Sequence, residues 1–125
     1  MAKIEFFEDF QSWQKTRLLS NLVYELTGHN EFAKDFRLRD QIRDAAGSVM
    51  HNIAEGFDSG SNPEFIRFMK MARRSASEVQ SQLYLALDRK YIATEELQKA
   101  YDVATEAKRL INGMISYLRQ HSTSL

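Results

Sequence analysis

One stretch of the chain carries four basic residues at helical spacing: Arg67, Lys70, Arg73 and Arg74. At about 100° per residue, Arg67, Lys70 and Arg74 share one outward face of a helix, and Arg73 extends that face sideways. Because guanidinium and ammonium groups bind phosphate oxygens, this face is the best candidate for contact with the backbone of RNA or single-stranded DNA. The alternative is a solvated face whose charges pair with acidic residues one turn away.

A stripe of polar residues marks an earlier segment, at Gln41, Ser48, Asn52 and Glu55. Buried polar groups cost several kcal/mol unless they are partnered, so the stripe implies defined partners. These partners could be a ligand or RNA, or they could lie in a structural seam between helices or subunits, which is the favoured interpretation. Glu55 could also accept amide hydrogens at the start of the next helix.

Enzymatic chemistry finds little support in the sequence. The chain has no cysteine, which excludes disulfides, thiolate metal sites and cysteine nucleophiles. His51 and Glu55 stand four residues apart, but no third metal ligand follows at a suitable spacing. The Glu-x-x-His motif of di-iron bundles, glycine-rich phosphate loops and nucleophile elbows do not occur. We therefore expect no catalytic residues, no metal, no cofactor and no small-molecule substrate.

Breaks in the apolar pattern divide the chain into four predicted helices. Glycine occurs five times and proline once, and Gly56 and Gly60 are interpreted as part of a chain reversal. The predicted helices cover about residues 9–27, 38–57, 63–90 and 95–120, with Ser61 and Thr94 as candidate caps. Apolar seams of alternating three- and four-residue steps favour shallow helix crossings. The sequence predicts an all-α, up-down-up-down four-helix bundle that forms a single domain over residues 1–125.

The composition is that of an ordinary globular protein. Hydrophobic residues make up 43% and charged residues 27%, while the formal net charge is zero. No global field therefore attracts the protein to nucleic acid or anionic lipid, and any charge argument must be local. The N-terminal residues lack the apolar core of a secretory signal, and no apolar run reaches about 18 residues. We expect a cytoplasmic protein.

More apolar residues occur than a single bundle can bury. They lie away from the predicted core seams at Phe10, Trp13, Tyr24, Met71, Leu85, Val103, Leu110 and Tyr117. Scattered exposed apolar residues are common and are the simpler interpretation. The heptad spacing of Val103, Leu110 and Tyr117 favours a homo-oligomer interface instead.

A family resemblance runs along nearly the whole chain. It rests on Trp13, Val23-Tyr24, Phe36-Arg37-Leu38, Gln41-Ile42-Arg43, Asn52-Ile53-Ala54-Glu55-Gly56 and Glu64-Phe65-Ile66-Arg67-Phe68. In this order and spacing the chain resembles the 23S rRNA intervening-sequence protein family, which comprises S23-like four-helix-bundle proteins of bacteria. One departure is Met50-His51, where the family pattern has proline and a small residue. Without that proline, the second helix should lack a kink.

The resemblance implies a cytosolic bundle that assembles into a ring of five copies and has no established catalytic activity. It extends to accessory proteins of diversity-generating retroelements, for which nucleic-acid binding is implied. The first hypothesis is therefore a non-enzymatic homopentameric ring that binds RNA or DNA through the third predicted helix. The alternative is a structural scaffold for protein interactions that never contacts nucleic acid.

Overall fold

Helices account for most of residues 4–121, the part of the chain that this computed structural model describes. After a short 3-10 helix at Phe7–Asp9 come α1 (Gln11–Thr27), α2 (Asn30–Lys34), α3 (Phe36–Phe57), α4 (Asn62–Asp88) and α5 (Thr94–His121). No strand occurs within residues 4–121, so the all-α prediction is confirmed for that range. None of these helices combines the length and apolarity needed to cross a membrane.

Two buried clusters show how the long helices are arranged. One cluster joins the end of α1 to the start of α3, the end of α4 and the start of α5, as at Val23, Ile42, Leu83 and Ala100. The other joins the opposite ends, with Ile53, Met69 and Ile111 at its centre and Trp13 packed against it. Consecutive long helices therefore run in opposite directions. Contacts between α1 and α3, α3 and α4, α4 and α5, and α5 and α1 close the bundle.

The main difference from the predicted helices lies between α1 and α3. This stretch was expected to lack a helix, but it contains α2, whose Phe32 is fully buried. The Phe32 ring stacks on Tyr91 with the centroids 5.3 Å apart, which closes this end of the bundle. The Asp35 carboxylate then accepts a hydrogen bond from the Leu38 amide at 3.2 Å, so α3 begins earlier than predicted.

Helix α3 is continuous through Met50 and His51 to Phe57. The chain-reversal interpretation of Gly56 is wrong, because this residue lies in the last helical turn. A Cβ at Gly56 would approach Phe65 Cδ1 to 2.8 Å and Phe68 Cβ to 2.9 Å. Close packing of α3 on α4 therefore requires glycine here. Gly60 has a φ of 91° and does belong to the turn.

The two predicted helix caps have different outcomes. Ser61 caps α4, since its hydroxyl accepts the Glu64 amide hydrogen at 3.3 Å. The prediction for Thr94 is wrong, because Thr94 is the first residue of α5. The Glu96 carboxylate reaches back instead and accepts a hydrogen bond from the Ala93 amide at 2.8 Å.

Candidate functional site

The outward surface of α4 carries the four basic residues singled out in the sequence, Arg67, Lys70, Arg73 and Arg74, which we call the basic face. Helix α4 forms because Ser61 caps its start and because apolar residues recur on its inner side at Phe65, Met69, Ala72 and Ala76. Burial of that inner side against α3 and α5 turns the basic face toward solvent.

Arg67 contributes least free charge to the basic face. Its Nε donates to Glu64 Oε1 at 3.0 Å, and its second terminal nitrogen donates to Oε2 at 3.1 Å. This hydrogen-bonded pair lowers the pKa of the Glu64 carboxyl and raises that of Arg67. The sequence grouped Arg67 with the phosphate-binding candidates, but Glu64 already compensates its charge.

The other three cations keep an uncompensated charge. Lys70 and Arg74 are exposed and form no hydrogen bond or ion pair with any residue between 4 and 121. Arg73 is half-buried and donates to the Asn112 side-chain oxygen on α5 at 2.7 Å. Because an amide is neutral, this bond orients the Arg73 guanidinium without cancelling its charge. The basic face therefore reduces to a cluster of three phosphate-binding candidates.

The polar stripe divides into a bonded centre and two solvated ends. Asn52 donates to the Ser48 carbonyl at 2.8 Å and to the Ser48 hydroxyl at 3.0 Å. The Ser48 hydroxyl also accepts a hydrogen bond from Ser75 on α4 at 3.0 Å, which links the two helices as a structural seam would. Gln41 and Glu55 are exposed. The suggestion that Glu55 caps the next helix is wrong, because Ser61 does so.

A shallow groove of about 370 Å³ follows the outer side of α3. Its lining includes Arg43, His51 and Glu55. The Arg43 guanidinium is already engaged, since it donates to the Thr27 hydroxyl at 2.7 Å and lies 4.5 Å from the Tyr24 ring centroid. No group of three His, Cys, Asp or Glu residues suited to holding a metal ion occurs between residues 4 and 121. The groove, as far as residues 4–121 form it, therefore offers no cluster suited to a metal ion.

The residues assigned to an oligomer interface differ in exposure. Tyr24, Leu85 and Tyr117 are exposed, whereas the half-buried members of the set are Trp13, Met71, Val103 and Leu110. Phe10 is half-buried as well. Its ring lies 5.4 Å from that of Phe57 and 6.0 Å from that of Phe65, so Phe10, like Trp13, packs against the second core cluster.

Two aromatic residues near the basic face were missed in the sequence. Tyr84 on α4 and Tyr101 on α5 form an edge-to-face pair with centroids 5.8 Å apart. Helical spacing could have identified Tyr84, because it lies two heptads after Lys70 and so shares its side of the helix. Leu18 was also missed and is exposed beside Leu110 in a groove between α1 and α5.

A helical bundle with a basic outer face on one long helix is the class of protein that this fold and site define. The family model for the 23S rRNA-intervening sequence protein matches residues 8–113. Because the match covers most of the chain, this protein belongs to the 23S rRNA-intervening sequence protein family. The family that the sequence resembles is thereby confirmed.

A solved structure agrees with the fold. The chain is similar to a protein of unknown function from the S23 ribosomal protein family of Bacteroides thetaiotaomicron, with a TM-score of 0.76 and 23% sequence identity. The similarity covers 83% of this chain and 97% of that chain. At this identity the likeness shows a shared fold. A comparison with curated protein sequences gave no significant match.

Proposed function

We propose that this protein is a non-enzymatic, homo-oligomeric helical bundle that binds the phosphate backbone of RNA or DNA through the basic face of α4. One observation carries the proposal. Lys70 and Arg74 are exposed cations without a carboxylate partner within residues 4–121, and they flank Arg73, which a neutral amide holds in place. Arg67 is left out of the binding set because Glu64 compensates its charge.

A single copy of this face would bind weakly. Three phosphate contacts give a salt dependence of about −0.7 per contact on a single strand, a slope of about −2 in total. Assembly would strengthen the binding, because a closed ring repeats the same face and adds avidity without a new kind of contact. The family resemblance suggests five copies. Support for assembly comes from the exposed apolar side chains of Tyr24, Leu85 and Tyr117.

Charge reversal tests the nucleic-acid proposal. We expect Lys70→Glu combined with Arg74→Glu to weaken binding of RNA and single-stranded DNA at low salt by at least tenfold and to make the salt slope shallower. Lys34→Glu is the matched control, since Lys34 is paired with Glu31 at 3.3 Å and lies on α2 at the other end of the bundle. Equal binding by the double variant and the control would contradict the proposal.

A scaffold for protein partners is the second candidate function. The observation that favours it is the balance of 17 basic and 17 acidic side chains, which leaves no global attraction to nucleic acid. Absence of any binding to RNA or single-stranded DNA at low salt would support the scaffold over the first proposal.

Light scattering tests the assembly. We expect a mass of about five subunits at tens of micromolar protein. Leu85→Glu should lower that mass, because a charge buried at a subunit contact costs far more than one in water. Glu78→Gln serves as a control change on the exposed side of the same helix. A monomeric mass for the unmodified protein would contradict the assembly.

A further inference from the structure

Side-chain bonds hold α4 and α5 together along an outer seam. Arg73 donates to Asn112 at 2.7 Å at one end of the seam. Farther along, the Gln80 amide donates to the Thr105 hydroxyl at 2.9 Å, and its oxygen accepts a hydrogen bond from Lys108 at 3.0 Å. These bonds fix the positions of two cations and leave both charges uncompensated, because both acceptors are amide oxygens.

The seam between α4 and α5, called the strip below, therefore carries a net positive charge. Arg73 and Lys108 lie along it, and Lys70 stands exposed beside it on α4, whereas Arg74 lies about a quarter turn farther round the helix. In contrast, Arg109 nearby is paired with the carboxylate of Glu106. The three unpaired charges of Arg73, Lys108 and Lys70 give the seam an attraction for a polyanion that the neutral formal charge of the chain conceals.

An aromatic pair lies at the far end of this strip. Tyr84 is 49% exposed, and its ring meets that of Tyr101 edge to face, with centroids 5.8 Å apart. The Tyr101 carbonyl accepts a hydrogen bond from Gln80 at 3.2 Å, which ties the pair to the same seam. Lys70 and Tyr84 are separated by about 21 Å along α4 at 1.5 Å per residue. Positive charge and an exposed ring thus follow one line on the surface.

A guanidinium already covers the ring of two other exposed aromatic residues, Tyr24 and Phe36. The Arg43 guanidinium lies 4.5 Å from the Tyr24 ring centroid, and the Arg39 guanidinium lies 4.8 Å from that of Phe36. Within residues 4–121 no cation lies over Tyr84. Since Tyr101 can cover at most one face of the Tyr84 ring, a planar base could stack on the other face.

Resting on the proposed function, we propose that the α4–α5 seam binds a single nucleic-acid strand, with phosphates on Lys70, Arg73 and Lys108 and a base stacked on Tyr84. A duplex keeps its bases stacked inside, so it could use the cations but not the ring. The Tyr84 ring pairs with Tyr101 of α5, whereas Leu85 lines a groove with Leu38 of α3, so the two side chains face different neighbouring helices. A subunit contact at Leu85 therefore leaves Tyr84 open.

Three probes of equal length separate stacking from charge. They are oligo(dT) of about a dozen nucleotides, the abasic strand of the same length and a duplex. In fluorescence anisotropy at low salt, we expect the full-length protein to bind oligo(dT) about 5- to 150-fold more tightly than the abasic strand, as stacking of one base predicts. Tyr84→Ala should abolish that preference, and Tyr84→Phe should retain it.

Phe36→Ala is the matched control, since Phe36 is exposed at 64% but lies at the start of α3, away from the seam and outside the set assigned to the oligomer interface. We expect it to leave the oligo(dT) preference unchanged. Ultraviolet cross-linking of the unmodified protein to oligo(dT) provides a second measurement that does not depend on how the variants fold. Mass spectrometry should place the cross-link on Tyr84 or Tyr101.

The outcomes distinguish this inference from the function on which it rests. Equal affinity for oligo(dT) and the abasic strand, tighter binding of the duplex, or a cross-link elsewhere would overturn the stacking inference and leave phosphate binding intact. Failure to bind any of the three probes at low salt would overturn the proposed function and the inference together.

Discussion

Gly56 and Arg67 show how neighbours decide the role of a single residue. Gly56 is needed because the rings of α4 pack against the last turn of α3, not because the chain turns there. Arg67 belongs to a cationic pattern in the sequence, yet the Glu64 carboxylate accepts two hydrogen bonds from one edge of its guanidinium. Residue type and spacing predicted the basic face correctly as a surface, but ion pairing decided which of its members carry free charge.

Gly56→Ala should destabilise the protein. The new methyl group would lie 2.8 Å from Phe65 Cδ1, and overpacking of this kind costs about 1–3 kcal/mol, partly offset by the better helix propensity of alanine. Gly113→Ala is the control, because nothing lies within 4 Å of its Cβ position in α5. We expect that control to gain about 0.5–1 kcal/mol in urea unfolding. A more stable Gly56→Ala variant would contradict the packing argument.

Tyr91 should make stability depend on alkaline pH. Its hydroxyl donates to Asp35 at 2.9 Å, and this bond, with burial and the carboxylate charge, raises the pKa of Tyr91 above its usual value of about 10. A raised pKa means that the stabilisation is complete below the unfolded-state pKa and is lost as pH rises through the folded-state value.

Urea midpoints measured from neutral pH to above pH 10 test this dependence. The unmodified protein should lose stability in the alkaline range, and Tyr91→Phe should lack that part of the loss while keeping the ring against Phe32. Tyr84→Phe is the control. An identical loss of stability at alkaline pH in all three proteins would show that the hydrogen bond between Tyr91 and Asp35 does not contribute to the pH dependence.

The long helices were predicted more accurately than their ends and caps. The four long helices were predicted to within a few residues, because apolar periodicity extends over many turns and local errors average out. Helix α2 was missed since five residues hold too little periodicity to detect. Ser61 was identified as a cap because its sequence signature is local. Thr94 lies one residue inside α5, where the Glu96 carboxylate accepts a hydrogen bond from the preceding Ala93 amide.

Ser61→Ala should weaken α4 at its start. Loss of the hydroxyl that accepts the Glu64 amide hydrogen should cost about 0.5–2 kcal/mol in urea unfolding. Glu55→Gln is the control that separates the two candidate caps, since Glu55 is exposed and should change stability by less than about 0.5 kcal/mol. A larger loss of stability in Glu55→Gln than in Ser61→Ala would indicate that Glu55, and not Ser61, caps α4.

For the whole molecule, the bundle accounts for the core but not for all of the apolar surface. Two buried clusters fill the interior from end to end, and both rely on alanine where helices approach closely, as at Ala72 and Ala104. Tyr24, Leu85 and Tyr117 stay exposed outside them. The proposed ring would cover part of this surface and repeat the basic face around a closed assembly.

Assembly predicts that stability depends on protein concentration. If subunits associate only when folded, the thermal midpoint should rise as the concentration increases, because mass action favours the assembled state. Scanning calorimetry over a hundredfold range of concentration measures this shift, and Leu85→Glu should reduce it. A midpoint independent of concentration, with a monomeric mass in light scattering, would contradict assembly.

The sequence by itself determined the all-α class, the four long helices and the family, because periodicity and ordered motifs are properties of the chain alone. It also located the basic face, since helical spacing fixes which side chains share a side. Only the tertiary structure decided that Phe10 packs against the second core cluster, that Gly56 is a packing contact, and that Ser48 bonds across to Ser75. It also brought Tyr101 of α5 beside Tyr84 of α4. These depend on distances between helices, which arise only when the bundle closes.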